Sequence, residues 1–328
     1  MLDLNVEPQI VVWAITKKRQ WQRCRLAATP FEDVHELSTD EIQVVLDDIR
    51  NQFVHHPVII FTGRKVWERP DFDDIVRSAV KDQLPIAVFV PTVNHVGAGH
   101  LEHWKTLGVS SVFLKMDGPV SREGSRAVAL AKDVVSRSLR LEIKTVVGRD
   151  NVSWLPDIAR LVESLGASSW EVNFGAASGP LRGKQGLDAA AMEHTLEWLS
   201  DLDVHAPFRI MALGAPQYQR ILSSRHPILD AGRLAIKEGR GLVFLDHRGM
   251  VFPSDHLPFV AGNVRKTSLS AIYRESPLFC ALRDPRVLEG RCGLCAYRIT
   301  CGGSRDRAYA ATGKLFAEDP GCWDPQSA

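Results

Sequence analysis

Seven short runs rich in β-branched and aromatic residues recur along the first two thirds of the chain, and amphipathic stretches with a helical period separate them. This alternation predicts βα units around a parallel sheet. The predicted strands are residues 10–15, 57–61, 86–90, 111–115, 141–146, 169–174 and 205–210. A mean spacing of about 30 residues is typical of βα repeats, and seven repeats suffice for an open or partly closed barrel.

The character of the sequence changes after residue 230. Residues 242–245 and 250–252 flank a turn at His247-Arg248-Gly249 and predict a β-hairpin. Two short helices are predicted at residues 268–274 and 277–283, and a tail rich in glycine and cysteine follows them. We therefore expect a partial βα barrel over residues 1–230. We expect a smaller domain over residues 231–328, which needs a cross-link because its own core is small.

Charge and composition exclude several classes of protein. The 328 residues include 40 Lys and Arg against 39 Asp and Glu, a formal net charge of +1 that gives no overall attraction to nucleic acid or anionic membrane. No stretch approaches the roughly 18 apolar residues of a spanning helix, and no basic segment followed by an apolar one opens the chain. We expect a cytoplasmic protein that binds neither nucleic acid nor membrane.

The six cysteines are unevenly placed, because only Cys24 precedes residue 280. Four of the other five follow the spacing C-x2-C-x5-C-x20-C, namely Cys292, Cys295, Cys301 and Cys322. Four soft ligands that can converge on one centre predict a metal site, and the spacing leaves structural zinc and an iron–sulfur cluster open. A single C-x2-C pair followed by a Gly-Gly pair favours the cluster. Cys280 lies in an apolar helical run and is expected to be a buried core residue.

Short sequence words between Gly241 and Cys322 carry a resemblance to a known family. The main words are Val251-Phe252-Pro253-Ser254, Gly262-Asn263-Val264-Arg265, Ser276-Pro277-Leu278-Phe279, Cys301-Gly302-Gly303-Ser304-Arg305 and Glu318-Asp319-Pro320. In this order they resemble the C-terminal region of radical S-adenosylmethionine (SAM) proteins of the SPASM/twitch type. The similarity is greatest to the branch that contains heme d1 and alternative heme biosynthesis enzymes.

The resemblance implies a fold and a cofactor. It extends weakly to the front of the chain, at Trp13-Ala14-Ile15-Thr16, and implies a partial (βα)6 TIM-like barrel of the radical SAM type with a small C-terminal iron–sulfur domain. By this resemblance the four spaced cysteines hold one auxiliary [4Fe-4S] cluster. Ser254 stands where fuller SPASM domains have another cysteine, so a single auxiliary cluster is implied.

Two sites that the family needs for SAM cleavage are altered in this sequence. The family holds its SAM-binding cluster with three cysteines, C-x3-C-x2-C, after the first strand, whereas residues 16–28 contain Cys24 alone. The family's Gly-Gly-Glu-Pro word at the second strand is also changed, because Lys65 stands in place of the acidic residue. An ammonium group cannot accept a hydrogen bond from the SAM amino group, so SAM is not expected as a cofactor.

Basic residues occupy both altered sites. They are Lys17, Lys18, Arg19, Arg23, Arg25, Arg64 and Lys65. If they lie together at the carboxyl ends of the first two strands, this basic cluster could bind an anionic ligand or an acidic partner segment. The alternative interpretation is a solvated basic loop that binds nothing.

The preferred hypothesis is therefore a radical-SAM-like protein that lacks the SAM-cleaving cluster and holds one auxiliary [4Fe-4S] cluster. Such a protein is expected to act as a redox partner or scaffold in a cofactor or peptide-modification pathway, together with an intact radical SAM paralogue or a redox protein. The alternative is an active radical SAM oxidoreductase with an atypical cluster site, acting on a tetrapyrrole or peptide. No catalytic residue is assigned from the sequence.

Overall fold

The computed structural model describes residues 3–16, 35–63, 65–118, 122–175, 186–230 and 235–323, and within them a single mixed sheet. Its strands are β1 Ile10–Ala14, β2 Val58–Thr62, β3 Ile86–Val90, β4 Ser111–Lys115, β5 Arg140–Val146, β6 Ser169–Asn173, β7 Arg209–Leu213, β8 Leu242–Leu245, β9 Met250–Phe252 and β10 Gly262–Asn263. Their order across the sheet is β10-β9-β8-β1-β2-β3-β4-β5-β6-β7. Strands β8 and β1 to β7 pair in parallel with their neighbours. Strand β9 pairs antiparallel with β8 on one side and with β10 on the other.

Helices follow each of the first seven strands. The helices are α1 Thr39–Gln52, α2 Phe72–Lys81, α3 Ala98–Leu107, α4 Arg122–Ser136, α5 Leu155–Ser164, α6 Ala189–Asp203, α7 Gln217–Arg225, α8 Pro227–Asp230, α9 Leu269–Glu275, α10 Pro277–Arg283, α11 Gly290–Leu294 and α12 Arg305–Thr312. α1 begins at a capping box, in which Ser38 Oγ accepts from the Glu41 amide and Glu41 Oε2 accepts from the Ser38 amide. The predicted α/β class with a central parallel sheet is confirmed.

All seven predicted barrel strands are present, but the position predicted for the last one was wrong. Residues 205–210 were expected, and the strand is Arg209–Leu213. The amides of His205 and Ala206 still donate to the carbonyl of Leu202, so the turn that ends α6 uses the residues that the sequence pattern assigned to the strand. Sheet pairing begins only when the Arg209 amide donates to Ser168.

The two faces of the parallel strands have different environments. One face packs against the helices in the main hydrophobic core, and the opposite face lines the inside of the barrel, here called the lumen. Ile10, Ile60, Ala87 and Phe113 form a small apolar cluster in the lumen. Charged residues take the place of this cluster farther across the sheet, where Lys115 on β4 pairs in register with Lys144 on β5, and Lys144 with Glu171 on β6.

The C-terminal region is attached to the barrel through both backbone and side chains. The predicted hairpin is confirmed as β8 and β9, and β8 pairs in parallel with β1, so this region continues the same sheet. The hydroxyl of Tyr273 on α9 donates to the Leu4 carbonyl at 2.5 Å and accepts from the Gly241 amide at 2.7 Å. The division at residue 230 therefore falls within one continuous sheet, and the two domains remain a prediction.

The burial predicted for Cys280 was wrong. α10 buries Phe279 and Leu282, whereas Cys280 is exposed. An apolar run of seven residues does not reveal which face of so short a helix meets the core. Separately, no helix among the described residues has the length and apolar character needed to cross a membrane.

Candidate functional site

The four spaced cysteines line one cavity in the C-terminal region, here called the cysteine cavity. They are Cys292, Cys295, Cys301 and Cys322. α11 carries the first, the second ends that helix, the third precedes α12, and the fourth lies near the end of the described chain. The space inside the cavity, including its open side, is about 400 Å³, and Arg291, Arg298 and Glu318 also line it. The structure thus brings together all four residues that the spacing selected.

Glycine is required where the backbone passes closest to these sulfur atoms. Gly302 and Gly303 both have φ +68°, in the left-handed region that glycine adopts without strain. A Cβ atom at Gly303 would lie 2.9 Å from the Sγ atom of Cys292 and 2.8 Å from the Cβ atom of Asp319. The Gly-Gly pair therefore allows the chain to turn tightly beside the sulfur of a neighbouring segment.

Backbone amides are directed at three of the four sulfur atoms. Tyr297 donates to Cys295, Gly303 to Cys301 and Asp319 to Cys292, each over 3.4 Å. The Nη2 atom of Arg305 also lies 3.8 Å from the Cys292 sulfur. Donors of this kind stabilise thiolates and tune the potential of a bound iron–sulfur cluster.

The protonation state of the cysteine thiols in the cavity depends on whether a metal centre is bound. Burial raises the pKa of the Cys301 thiol to about 12, so this thiol is neutral at physiological pH when no metal is bound. Burial also lowers the pKa of Lys237, whose Nζ atom donates to the Cys301 carbonyl at 3.0 Å, to about 8. Since a metal centre binds the thiolate, its binding at this position releases a proton.

A buried ion pair connects the cysteine cavity to the barrel. Arg307 on α12 lies 2.6 Å from Asp319 and donates to the carbonyls of Phe174 and Gly214, which follow β6 and β7. Burial by itself would raise the pKa of Asp319, but the Arg307 guanidinium and backbone amide donors hold it below its usual range. Sequence reasoning missed this pair, although charged residues within a glycine- and cysteine-rich tail were visible.

A second group of charges, also missed from the sequence, lies in the lumen. Lys144 on β5 forms an ion pair with Glu171 on β6 at 2.5 Å, and Lys115 pairs with Asp117 at 2.8 Å. Burial would lower the pKa of Lys144, but Glu171 and Asp255 raise it, so its ammonium stays charged. Lys115 and Asp117 lie at the carboxyl end of β4, the edge at which α/β barrels bind ligands, whereas Glu171 lies in the middle of β6.

The residues of the proposed basic cluster are only partly described. Lys65 donates to Glu68 at 2.6 Å, so the cation that replaces the family's acidic residue is held in an ion pair. Cys24 and Arg19, with the other basic residues of positions 17–34, lie outside the described residues, as does Arg64. The basic cluster therefore remains a prediction.

Comparison with known proteins gives several relatives over nearly the whole chain, although no family model matches it. The "AdoMet-dependent heme synthase" of Nitratidesulfovibrio vulgaris is 30% identical, over 96% of this chain and 92% of the relative. The protein of the same name from Methanosarcina barkeri is 27% identical over 98% of both chains. The "pre-heme d1 synthase" of Dinoroseobacter shibae is 24% identical, over 96% of this chain and 86% of the relative.

Solved structures support the same assignment at the level of fold. SuiB of Streptococcus suis, in its complex with S-adenosylmethionine, superposes with a TM-score of 0.72 at 13% identity, over 97% of this chain and 78% of SuiB. The enzyme anSMEcpe with bound AdoMet gives a TM-score of 0.68 at 12% identity, over 98% of this chain and 94% of that chain. Together with the 30% identity to a heme synthase over nearly the full length of both chains, these matches show that the protein belongs to the radical SAM family.

Proposed function

We propose that this protein holds one [4Fe-4S] cluster in the cysteine cavity and does not cleave SAM. Its role is that of a redox partner or scaffold in a cofactor or peptide-modification pathway. The single observation that carries the proposal is the convergence of Cys292, Cys295, Cys301 and Cys322 on one cavity. When bound on four cysteines, the cluster supplies one-electron transfer with no open coordination position.

The geometry of the cavity favours a cluster over structural zinc. Zinc needs four ligand atoms about 2.0 to 2.3 Å from one point. Among the described residues, no three His, Cys, Asp or Glu side chains are placed to share a single metal ion. A cluster instead separates its thiolates around a larger body, so its four cysteines line one cavity without sharing a single metal ion.

The residues at the two SAM sites support the loss of SAM cleavage. One cysteine, Cys24, stands where three cysteines are needed to hold the SAM-binding cluster. At the second site the Lys65 ammonium, paired with Glu68, offers no acceptor for the SAM amino group. The two heme synthases are named as AdoMet-dependent, and we propose that this chain has lost that dependence.

Exposed apolar side chains beside the cysteine cavity support a role with a partner protein. Leu294 is 89% exposed, Ile299 65% and Trp323 53%. Each lies within two residues of a cavity cysteine in sequence, so exposed apolar side chains flank the segments that line the cavity. Exposed apolar side chains that form a patch mark protein interaction sites, and we propose that these three form one. The proposed partner is an intact radical SAM paralogue or a small redox protein.

A second candidate is an active radical SAM oxidoreductase with an atypical cluster site, acting on a tetrapyrrole or peptide. The charged lumen favours it, because the Lys144–Glu171 pair and Asp117 could orient a polar substrate at the carboxyl ends of the strands. This candidate needs a SAM-binding cluster assembled with ligands other than three cysteines from the segment after β1.

Anaerobic purification followed by iron, sulfide and zinc analysis separates these functions. The preferred function predicts about four irons per chain and no 5′-deoxyadenosine when SAM and dithionite are added. Cys301→Ser is expected to lose the iron, and Cys280→Ser, at an exposed position outside the cavity, to keep it. About eight irons with 5′-deoxyadenosine formation would establish the second candidate, and stoichiometric zinc would refute the redox role.

A further inference from the structure

Two buried carboxyl groups lie next to the cysteine cavity. Glu238, in the turn before β8, is 4% exposed, and Asp306, in the first turn of α12, is 5% exposed. Ser304 Oγ donates to Glu238 Oε1 at 2.7 Å, and the Asp306 amide donates to the same oxygen at 3.2 Å. Ser254 Oγ donates to Asp306 Oδ1 at 2.7 Å. The Glu238 carboxyl group is thus hydrogen-bonded to the backbone of Asp306, and the two buried carboxyl groups are here called the acid pair.

The hydrogen-bond donors and cations around the acid pair are too few to stabilise both carboxyl groups in their ionised form. The second oxygen of Glu238, Oε2, is buried with no hydrogen-bond partner among the described residues. Asp255 adds a further negative charge near Asp306. The cations that face the pair are Lys237, whose Nζ atom bonds backbone carbonyls, and Arg307, which is already paired with Asp319.

The protonation of Asp306 follows from this environment. Burial raises the pKa of Asp306 well above its usual range, and the neighbouring Glu238 carboxylate raises it further, against the lowering effects of Ser254 and Arg307. Two carboxylates buried side by side cannot both ionise without a large electrostatic cost. Asp306 therefore retains a proton at a pH at which isolated carboxyl groups have lost theirs.

Two neighbouring residues connect the acid pair to the cysteine cavity. Ser304, which bonds Glu238, lies three residues after Cys301 on the Gly-Gly turn. Lys237, the neighbour of Glu238 in sequence, donates to the Cys301 carbonyl at 3.0 Å. An electron added inside the cavity raises the energy of any carboxylate nearby, because the medium between them is protein and not water.

We propose that the Glu238–Asp306 pair takes up a proton when the centre held by the four cysteines is reduced. The proposal rests on the proposed function, since it needs a redox centre in the cysteine cavity. One electron comes from an external one-electron donor, and one proton passes from water to the carboxylate of the pair. No covalent bond to a cysteine changes. The acid pair thus makes the reduction potential of the centre in the cysteine cavity depend on pH.

The test is a redox titration of the anaerobically purified holoprotein at a series of pH values, with dithionite as reductant and electron paramagnetic resonance as the readout. The wild-type midpoint potential is expected to become more negative as pH rises, by up to about 59 mV for each tenfold fall in proton concentration. Glu238→Gln combined with Asp306→Asn keeps the hydrogen-bonding shape of the protonated acids but leaves no carboxylate in the pair to accept a proton, so this double variant should give a flat profile. The exposed Asp40→Asn on α1 should keep the wild-type slope.

A second measurement covers the case in which the double variant disturbs cluster binding. Infrared spectra of the wild-type protein at neutral pH should contain the carbonyl stretch of a protonated carboxyl group, and this band should be absent from Asp306→Asn. A wild-type potential that does not vary with pH, or equal slopes in the wild type and the Glu238→Gln/Asp306→Asn double variant, would overturn the inference and leave the proposed function intact. A protein that binds no iron would overturn the proposed function, and the inference with it.

Discussion

The guanidinium of Arg307 lies 2.6 Å from the carboxylate of Asp319, and both side chains are buried between the barrel and the cysteine cavity. Asp319 also accepts hydrogen bonds from the Gln217 side chain and the Ser304 amide, each at 2.7 Å. Its own amide donates to the sulfur of Cys292. One ion pair therefore connects α7, α12 and the segment that carries the cysteines, so the cavity and the barrel are expected to unfold together.

Arg307→Ala is expected to lower the free energy of unfolding by about 3 to 5 kcal/mol, because it leaves the Asp319 carboxylate buried without its cation. Urea unfolding followed by circular dichroism measures the change. Arg286→Ala is the matched control, since Arg286 pairs with Asp284 on the surface and its side chain is 88% exposed. Equal unfolding midpoints for Arg307→Ala and wild type would contradict the role of the buried pair.

The same pair predicts a loss of stability in acid. The pKa of Asp319 is lowered in the folded protein, so the unfolded chain binds its proton more readily. The stabilisation is present above the ordinary aspartate pKa of about 4 and is lost as the pH falls through the folded value. In Asp319→Asn the free energy of unfolding should depend less on pH over that window. If the two proteins show parallel curves, Asp319 is not the group that titrates.

Gly303→Ala is expected to abolish iron binding, because its Cβ atom would lie 2.9 Å from the Cys292 sulfur. Gly313→Ala is a matched control. Gly313 has φ +73°, so alanine meets a similar backbone strain, but no atom lies within 4 Å of the new Cβ atom. We expect this control to lose about 1 kcal/mol of stability and to keep its iron. The measurement is the iron content of both variants after anaerobic reconstitution. Equal iron contents in Gly303→Ala and Gly313→Ala would show that position 303 needs glycine only for its backbone conformation.

The sequence predicted those features that depend on local pattern. Buried parallel strands form continuous apolar runs, so the barrel strands could be recognised from about five residues each. The cysteine spacing identified the cavity because three of its four members, Cys292, Cys295 and Cys301, come from one short segment. The start of β7 was placed too early because Ala206 and Pro207 do not distinguish the turn after α6 from the start of a strand.

The hydrogen bonds that bury Asp319 and Glu238 could not be predicted because their partners are distant in sequence. Gln217 and Asp319 are 102 residues apart, and Ser304 and Glu238 are 66 apart. No periodicity relates such positions, and a charged residue in a tail is normally assumed to be exposed. Only the fold shows that Asp306 and Arg307 turn inward, and the chemistry inferred for the acid pair depends on that placement.

The apolar surface beside the cysteine cavity predicts a selective defect in electron transfer. Leu294→Ser combined with Trp323→Ser removes two large exposed side chains that lie next to Cys295 and Cys322. The rate at which reduced flavodoxin, as a probe protein, reduces the cluster should fall about fivefold or more, as for loss of about 1 kcal/mol at an interface. Reduction by dithionite should not change, because this small ion needs no docking surface.

Ile228→Ser is the control for the docking surface, since Ile228 is 93% exposed on α8 and does not neighbour a cavity cysteine in sequence. It should leave both rates unchanged. A double variant that slows flavodoxin and dithionite equally would point to damage at the cluster. A double variant that slows neither would show that electrons enter the protein by another surface. A slower reaction with flavodoxin alone would support a partner that docks over the cysteine cavity.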